Sequence, residues 1–566
     1  MSPESTTEKT EWSTLTLDYP EVPVGAILAG AAHRFGERTA LHYYGRELSF
    51  ARLHERAGAF ADALRDAGIG RGDVVAIHLP NCPQYAIAYY GILLAGATFS
   101  PTNPLLPPVD LAAQLADAGA VAAVSWLPAA PAIAAVRDRT AIRLLLVTDR
   151  EQALDPGTRL DLAGVPDAFD FEAFHADAPT AAPAVEIDIS ADLAHLAYTG
   201  GTTGRSKGVQ LPHRNVVVNA LQYACWGSGS VPVLDAEGGL ALEQIAPAEE
   251  YPVRLGTGVS INLTPWFHAM GTIGALNVPM LTGSTTVLHD RFDPGAYLAD
   301  AERFRVTGMA GAPPLFAAML RHPDFATRDL SSVRGLTSGA APLPVEMIQA
   351  LHRRFGSDAV IAEGYGLTEV TMGATIGPAA RSAVRKVGTV GLPVYDTEVR
   401  ITDDDGAELP PGEPGEVCIR GPQVMAGYRN RLEETAATLV DGWLHTGDIG
   451  VLDDEGYLSI VDRKKDMLIY KGYNVYPREL EELLFGRPGV IGAAVVGRPD
   501  PEVGELPVAF VVAPGLDADG AQKLMDAVND QVTPYKRLRE IRLVDEIPVS
   551  AAGKVLKREL RTRLAD

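Results

Sequence analysis

Short apolar runs alternate along the chain with stretches whose apolar positions recur at helical spacing. The first runs are VVAIHL from Val74, VAAVSW from Val121 and IRLLLV from Ile142, with a helical stretch from Tyr85 between the first two. The rhythm resumes after Leu193, with SINLTP, STTVLH, VRGLTSG and AVIAEGYG as further strand candidates. Buried strands that alternate with helices are typical of parallel sheets covered on both faces. The pattern predicts an α/β fold with two doubly wound layers.

The C-terminal third departs from this rhythm. From 386 to 461, short runs are separated by turns rich in Gly, Pro and Asp, which favours antiparallel strands and a small β-barrel-like subdomain. After Asp462 come the charged run DRKKD, a hairpin candidate DMLIYKGYNVYP and a helix from Pro477. We therefore predict a large N-terminal domain at 1–462, a hinge at 463–465 and a small, mobile α+β C-terminal domain at 466–566.

Two shorter stretches require separate interpretations. The segment from Tyr85 to Ser100 is the most apolar, but it is shorter than the roughly 18 residues needed to span a bilayer, so we predict a buried helix. The segment 231–256 is rich in Glu, Ala and Pro and shows little periodicity. It is predicted to be a surface insertion.

Composition limits the classes of function. The 566 residues exceed the roughly 250 to 300 at which one hydrophobic core stops growing, so several domains are expected. A formal charge of −23 disfavours binding to nucleic acid or to an anionic membrane surface. The widely spaced Cys82, Cys225 and Cys418 and a polar, acidic start without a secretory pattern favour the reducing cytoplasm. We expect a cytoplasmic protein without a transmembrane segment.

The string YTGGTTGRSKGV, from Tyr198 to Val209, has the composition of a phosphate-binding loop. It follows the strand candidate LAHLAY and precedes a helix that begins near His213. Its glycines and threonines leave backbone N–H groups and hydroxyls free to surround phosphate oxygens, and Lys207 adds a charge. The P-loop of nucleoside triphosphatases requires Ser or Thr after its lysine, whereas Gly208 follows here. The remaining alternative is a flexible surface loop.

Further strings extend the signal along most of the chain, from Gly70 to the C-terminus. They are TPWFHAMG at Thr264, SGAAPLP at Ser338, EGYGLTE at Glu363, GWLHTGDIG at Gly442 with VDRKKD at Val461, and SAAGKVLKREL at Ser550. With the phosphate loop, this set resembles the adenylate-forming superfamily of acyl-CoA synthetases, luciferases and peptide-synthetase adenylation domains. The loop departs from the usual TSGTTG and Pro-Lys pattern at Gly200 and Ser206. Its TGG form, with RKKDM and GYNVYP, resembles bacterial fatty-acyl-CoA synthetases.

The resemblance implies a nucleotide site for ATP. Tyr365 would stack on adenine, Thr368 would touch the α-phosphate, and Glu369 would hold Mg²⁺, a hard ion that prefers oxygen ligands. Asp448 would accept hydrogen bonds from the ribose hydroxyls, with Arg463 in support. Further implied contacts are Thr199, Gly200, Gly201, Thr202, Thr203, Gly204, Lys207, Gly339, Ala340, Ala341, Glu363, Gly364 and Gly366, with Thr203 also at the metal.

The resemblance also implies an apolar acyl site. Trp266 and His268 would line the carboxylate end, with the histidine as a gating or positioning residue that transfers no proton. The other implied wall residues are Met270, Gly311, Gly339 and Met372. Peptide-synthetase domains place an aspartate near this point to pair an α-amino group, and PWFHAMG contains none. An amino-acid substrate is therefore disfavoured.

Two half-reactions follow from the resemblance. Lys554 would stabilise the negative charge that develops when a carboxylate attacks the α-phosphorus of ATP. Rotation of the small domain about Lys465 would then withdraw this lysine and bring Lys471, Gly472 and Tyr473 to the site, where the absent side chain of Gly472 leaves room for the pantetheine arm of coenzyme A.

Taken singly, these residues have plain structural explanations. Glu369 alone is more often a solvated carboxylate at a strand end, and Asp448 alone sits in an ordinary turn beside Gly447. An isolated His268 among apolar residues is more often a packed core group, and Lys554 alone is one basic residue in a basic tail. The order and spacing of the strings favour the functional explanation.

The resulting expectation is an acid–thiol ligase that uses ATP, Mg²⁺ and coenzyme A and acts on an apolar acid of medium or long chain. A bulky polycyclic or aromatic acid stays open. One alternative delivers the acyl group to a carrier protein in trans, and another is a non-catalytic adenylate-binding protein. ATP-dependent release of pyrophosphate separates that last alternative from the others. The assembly is open, with a homodimer among the options.

Overall fold

A computed structural model of the chain describes residues 16–199, 206–339, 343–356, 358–471, 473–550 and 554–564. The helices are α1 (Gly25–Phe35), α2 (Phe50–Asp66), α3 (Pro83–Leu94), α4 (Pro108–Ala118), α5 (Ala130–Val136), α6 (Arg150–Leu154), α7 (Phe171–Phe174), α8 (His213–Ser228), α9 (Val278–Thr282), α10 (Pro294–Arg303), α11 (Pro313–Arg321), α12 (Asp324–Thr327), α13 (Val345–Phe355), α14 (Leu432–Thr438), α15 (Pro477–Phe485), α16 (Ala518–Asn529) and α17 (Lys557–Thr562). Shorter 3₁₀ turns lie at Arg137–Arg139, Ala248–Glu250 and Thr368–Val370, and a π-helical turn at Met270–Asn277.

The strands are β1 (Thr39–Tyr43), β2 (Arg46–Ser49), β3 (Val74–His78), β4 (Thr98–Pro101), β5 (Ala120–Trp126), β6 (Leu144–Thr148), β7 (Ala168–Asp170), β8 (Leu193–Tyr198), β9 (Gly208–Pro212), β10 (Ser230–Leu234), β11 (Leu240–Gln244), β12 (Val259–Asn262), β13 (Thr285–Leu288), β14 (Gly308–Gly311), β15 (Gly335–Ser338), β16 (Val360–Tyr365), β17 (Thr375–Ile376), β18 (Leu392–Pro393), β19 (Glu398–Thr402), β20 (Gly415–Arg420), β21 (Gly427–Tyr428), β22 (Leu439–Val440), β23 (Trp443–Leu452), β24 (Leu458–Arg463), β25 (Leu468–Tyr470), β26 (Tyr473–Val475), β27 (Gly492–Asp500), β28 (Gly504–Val512) and β29 (Glu540–Leu543).

Two large sheets form the N-terminal part of the molecule. One has the strand order β21-β9-β8-β4-β3-β5-β6-β7, and the other has the order β18-β17-β16-β15-β14-β12-β13-β1-β2. Their central strands pair in parallel. Residues of both sheets and of α2, α3 and α8 share the largest apolar core. The predicted doubly wound α/β layers are confirmed.

Two smaller sheets follow. Strands β19, β20, β23 and β22 pair in that order, and β24 joins β23, all antiparallel. The later sheet has the order β26-β25-β28-β27 with β29 beside β28, and it has an apolar core of its own. The β subdomain and the α+β fold of the C-terminal region agree with the predicted fold class. Strand β24 ends at Arg463, which lies inside the predicted hinge.

Most predicted elements are present, including α8 from His213, α15 from Pro477 and the β25–β26 hairpin. The single helix predicted for the most apolar segment is wrong in its second half. Helix α3 ends at Leu94, Gly96 adopts a φ of 81°, and the chain re-enters the sheet as β4 from Thr98. A left-handed glycine stops a helix at this point because other residues rarely adopt that conformation.

The predicted surface insertion at 231–256 is also wrong. Strands β10 and β11 form an antiparallel hairpin, and Leu240 and Leu242 of β11 are buried. The backbone of Leu240 lies so close to Gly30 of α1 that a side chain at Gly30 would collide with it. The alternating sequence LALEQ therefore places its leucines in the core, as a half-buried strand does.

The described helices and cysteines include neither a candidate membrane span nor a disulfide bond. None of these helices combines the length and apolar character required to cross a membrane. Cys82, Cys225 and Cys418 are buried free thiols.

Candidate active site

A cavity of about 1440 Å³ lies where the carboxyl ends of β14, β15 and β16 face the β subdomain and the C-terminal domain. This is the edge at which open parallel sheets bind ligands. Of the predicted site residues, the wall contains Thr199, Lys207, His268, Met270, Gly339, Gly364, Tyr365, Gly366, Thr368, Glu369, Met372, Asp448, Arg463, Lys465 and Lys554. Strings that are far apart in the sequence therefore converge on one cavity.

Asp448 is an oriented carboxylate on this wall. It lies in β23 opposite Arg463 of β24, whose Nε is 3.5 Å from its Oδ1. The hydroxyl of Tyr365 donates to Oδ2 at 2.6 Å, and burial beside this carboxylate raises the pKa of Tyr365. The backbone N–H of Asp448 donates to Oγ1 of Thr446 at 3.1 Å. A carboxylate held in this way can accept hydrogen bonds from a vicinal diol.

Glu369 stands in the 3₁₀ turn after β16, and its Oε1 accepts a hydrogen bond of 2.7 Å from the hydroxyl of Tyr428. Lys207 also contacts Tyr428, because its Nζ lies 4.6 Å from the centroid of the tyrosine ring. The same Nζ lies 2.8 Å from Oε2 of Glu434. Within the described residues, no group of three or more His, Cys, Asp or Glu forms a metal cage. A single carboxylate fits Mg²⁺, which takes its remaining ligands from phosphate and water.

Lys554 enters the cavity from the C-terminal domain, and its backbone bonds Ser550. Ser550 N–H donates to its carbonyl at 2.7 Å, and its own N–H donates to Oγ of Ser550 at 3.2 Å. Burial, with the nearby Arg463 and Lys465, lowers the pKa of Lys554 to about 8. Burial and the charge of Lys554 lower the pKa of His268 to about 4. The lysine therefore faces a histidine that is neutral at neutral pH.

Below this polar end, one face of the sheet forms the floor of an elongated gallery. The parallel register aligns small or short residues on this face, namely Ser260, Asn262, Gly308, Ala310, Gly335, Thr337, Val360 and Ala362. The opposite face carries Ile261, Met309, Leu336 and Ile361, which pack against α10 to α13. A Cβ built on Gly308 would meet no atom within 4 Å. The gallery therefore contains open space along the strands.

Two predicted acyl-wall residues point elsewhere. Trp266 is fully buried, its Nε1 donates to the carbonyl of Ala275 at 3.2 Å, and its ring packs 5.5 Å from that of Tyr85. Gly311 faces Leu315 of α11, because it is one residue beyond Ala310 in β14 and neighbours in a strand face opposite sides. The interpretation of both as wall residues is wrong.

Glu363 also lies off the cavity wall, contrary to its predicted contact with the nucleotide. Its Oε2 accepts from the N–H of Leu343 at 2.8 Å, and burial raises its pKa to about 7. This carboxyl group therefore holds the backbone of Leu343, just before α13.

The segment predicted to meet coenzyme A lies on the surface of the C-terminal domain. Lys471 adopts a φ of 51° and donates its N–H to the carbonyl of Val503 at 2.7 Å. Tyr473 is 58% exposed and stacks on Tyr535 at 4.8 Å. Lys554 thus occupies the cavity while this segment does not. The predicted residues Gly200, Gly201, Thr202, Thr203, Gly204, Ala340, Ala341 and Gly472 lie outside the described residues.

Several wall residues carried no signal that sequence reasoning used. They are Phe267, Gly308 and Tyr428. Tyr428 becomes recognisable only when β21 pairs with β9 beside the phosphate loop, at the register Tyr428–Val209. The string GYRNRLEET alone therefore does not indicate that Tyr428 lies at the cavity.

Comparison with known proteins agrees with this geometry. Residues 28–429 match the family described as AMP-binding enzyme, and residues 479–554 match the AMP-binding enzyme C-terminal domain. A long-chain-fatty-acid–CoA ligase of Bacillus subtilis (strain 168) is 34% identical, with 96% of this chain and 95% of that protein covered. A feruloyl-CoA synthase of an Amycolatopsis species is 37% identical, with 93% and 96% covered.

A solved structure supports the same assignment. The structure of an anthranilate CoA ligase in complex with anthranoyl-AMP superposes with a TM-score of 0.83 at 26% identity, covering 97% of this chain and 98% of that one. The chain therefore belongs to the AMP-binding enzyme family, and it is an ATP-dependent, AMP-forming acid–CoA ligase that uses ATP, Mg²⁺ and coenzyme A.

Proposed function

We propose that the enzyme activates an apolar acid of medium or long chain. The observation that carries the proposal is the gallery of small residues. From Gly339 to Gly335 it follows four residues of strand, or about 13 Å at ~3.3 Å per residue. An extended alkyl chain advances about 1.3 Å per carbon, so roughly ten carbons fit along this floor. Each buried methylene contributes about 0.8 kcal/mol, which makes chain length the main source of binding free energy.

The chemistry of the gallery supports an unbranched chain over other acids. Its described floor residues include no carboxylate that could pair an α-amino group. A single aromatic acid such as ferulate would fill the end near Met270 and Met372 and leave the space before Gly308 empty. Empty apolar space forfeits dispersion contacts, so a longer chain fits better.

In the first half-reaction we assign roles to the wall residues from their positions. Asp448 would hold the ribose, and Tyr365 and Arg463 orient it. Mg²⁺ held by Glu369 would neutralise phosphate charge. Lys554, protonated and close to His268, would stabilise the charge that develops on the α-phosphate as the acid attacks. These groups position the reactants, and no residue needs to remove a proton because the acid is already ionised.

In the second half-reaction, the thiol of coenzyme A attacks the acyl carbonyl and AMP leaves. We propose a pivot at Lys465 that separates residues 1–462 from 466–566 and exchanges Lys554 for the segment around Lys471 and Tyr473. In the structure Lys554 lines the cavity and Tyr473 is exposed, which supports separate roles for the two segments in the two half-reactions. The buried free thiols support the cytoplasm as the site of action.

The test is pyrophosphate release across a panel of acids. We expect kcat/KM to rise from butanoate to dodecanoate and to exceed that for ferulate, benzoate and the proteinogenic amino acids. Faster turnover of ferulate or of an amino acid than of dodecanoate would contradict the proposed substrate class. Repeating the panel with a phosphopantetheinylated carrier protein in place of coenzyme A identifies the preferred acyl acceptor. Faster acylation of the carrier protein than of coenzyme A would contradict coenzyme A as the preferred acceptor.

A further inference from the structure

A second cavity, of about 450 Å³, lies at the amino ends of β15 and β16, on the opposite edge of the sheet from the carboxyl ends that border the first cavity. Guanidinium groups dominate its wall, which includes Arg254, Arg328, Arg334, Arg354 and Arg381. We call it the arginine pocket. In a chain of formal charge −23, a local concentration of positive charge requires an explanation.

Some of these arginines have partners of their own. Arg328 bonds Glu302 and Asp324, each at 2.9 Å, and Arg381 bonds Asp358 at 2.5 Å. Arg354 donates to the backbone carbonyls of residues 325 and 328, each at 2.7 Å. These side chains build the frame of the pocket.

Arg254 and Arg334 differ from the others. Within the described residues, neither makes an ion pair, and the guanidinium of Arg254 donates no hydrogen bond. Arg334 Nε donates to the carbonyl of Pro252 at 3.1 Å, but its Nη2 and the Nε of Arg254 are buried without a partner. Burial and the charge of Arg254 lower the pKa of Arg334. Two like charges side by side, with unused donors, destabilise each other unless an anion joins them.

The acidic residues on the wall do not serve these two arginines. Asp358 belongs to Arg381, and the carboxylate of Asp329 accepts from the N–H of Ser331 at 3.0 Å. Glu249 is the remaining acid of the described wall, and it forms no ion pair with either arginine.

We propose that the arginine pocket binds an oxyanion, a carboxylate or a phosphate, through Arg254 and Arg334. The planar guanidinium fork matches either group and forms short, charge-assisted hydrogen bonds. The pocket has room for the oxyanion and for a small body attached to it.

The same pocket lies directly behind the far end of the acyl gallery. Pro252 lines both cavities, Val253 and Gly335 line the gallery, and the adjacent Arg254 and Arg334 line the pocket. A Cβ built on Gly335 would lie 2.9 Å from Cβ of Pro252, so the wall is one residue thick. The oxyanion has two sources: a free ligand, or the far carboxylate of a long α,ω-dicarboxylic acid, which reaches the pocket only if Pro252 moves aside. The second source rests on the proposed function, whereas the first does not.

The central variant is Arg254→Gln, which removes a guanidinium that bonds no described protein acceptor. Arg52→Gln is the matched control, because it removes one arginine charge from an exposed ion pair on α2. Arg254→Lys keeps the charge and loses the fork. Thermal unfolding without ligand confirms that each variant folds.

In the first arm, inorganic phosphate is titrated by calorimetry with ATP saturating and no acid present, so that the catalytic cavity is filled. In the second arm, kcat/KM for hexadecanedioate is divided by that for hexadecanoate. Because Arg254→Gln loses one charge-assisted hydrogen bond, the phosphate affinity or the diacid-to-monoacid ratio of kcat/KM should fall at least about tenfold in this variant. The fall should be smaller in Arg254→Lys and absent in Arg52→Gln.

The arms distinguish the sources. A loss confined to phosphate affinity identifies a free anion, and a loss confined to the diacid ratio identifies the substrate's own carboxylate. If Arg254→Gln matches wild type in both arms, the oxyanion site does not exist. Because the phosphate arm uses no acid, it gives its answer even if the chain-length proposal fails.

Discussion

Replacing Gly308 by Leu should shorten the range of acids that the enzyme accepts. A Cβ at this position meets no atom within 4 Å, and the residue adopts ordinary backbone angles, so the fold can accommodate the change. Gly308 pairs with Gly335, at the far end of the roughly 13 Å floor. The carbons of dodecanoate reach this level, whereas those of octanoate end above it.

The size of the effect follows from the atoms displaced. The four carbons of the leucine side chain take the space of about four methylenes, and losing their burial costs about 3.2 kcal/mol at ~0.8 kcal/mol each. This corresponds to a loss of about 200-fold in kcat/KM for dodecanoate, with octanoate nearly unchanged.

Pyrophosphate release with each acid measures the ratio. Gly164→Leu adds the same side chain at an exposed glycine that also meets no atom within 4 Å, so it controls for the substitution itself. Equal losses for both acids, or no loss for either, would show that the chain does not run past Gly308.

Further variants test the polar end. Lys554→Ala should slow adenylate formation at least about 100-fold and leave the rate of thioester formation from supplied acyl adenylate unchanged. Separate assays of the two half-reactions measure both rates. Wild-type kcat/KM for adenylation should fall as pH rises through about 8, because Lys554, with its pKa lowered to about 8, loses its proton; a flat profile would exclude this role. Asp448→Ala should raise the KM for ATP about 5- to 150-fold, which corresponds to about 1 to 3 kcal/mol for unpaired ribose hydroxyls, and an unchanged KM would place the ribose elsewhere. Tyr428→Phe removes the hydrogen bond that orients Glu369, so the Mg²⁺ concentration needed for half-maximal activity should rise about three- to tenfold in a magnesium titration. Tyr457→Phe removes a hydroxyl that bonds the carbonyl of Val384 instead, so it should leave that concentration unchanged.

Sequence patterns predict the parts of this molecule that depend on local repetition. Strands such as β3 and β5, the start of α8 at His213 and the β25–β26 hairpin follow from alternation and turn residues. The motif strings predict that Asp448, Tyr365 and Lys554 meet in one cavity, although these residues lie in the middle of β23, at the end of β16 and ahead of α17.

The remainder depends on facts that no short string contains. Trp266 lies in an irregular turn before a π-helical segment, so no periodicity tells that it faces the core. Gly308 has no side chain and gives no apolar signal, although it forms the floor of the gallery. The bond between Tyr428 and Glu369 joins residues 59 positions apart and exists only once two strands have paired.

The pairing of Asp448 with Arg463 also determines what a pivot would leave at rest. These residues face each other in the β23–β24 ladder, whereas Lys465 lies just beyond it, in a turn where the N–H groups of Asp466 and Met467 share the carbonyl of Arg463 at 2.9 and 3.0 Å. Rotation at Lys465 would strain this turn and spare the ladder. The carboxylate that we propose for the ribose would then stay in place through the whole catalytic cycle, so that both chemical steps use one anchored nucleotide and differ only in the residues that the C-terminal domain brings to it.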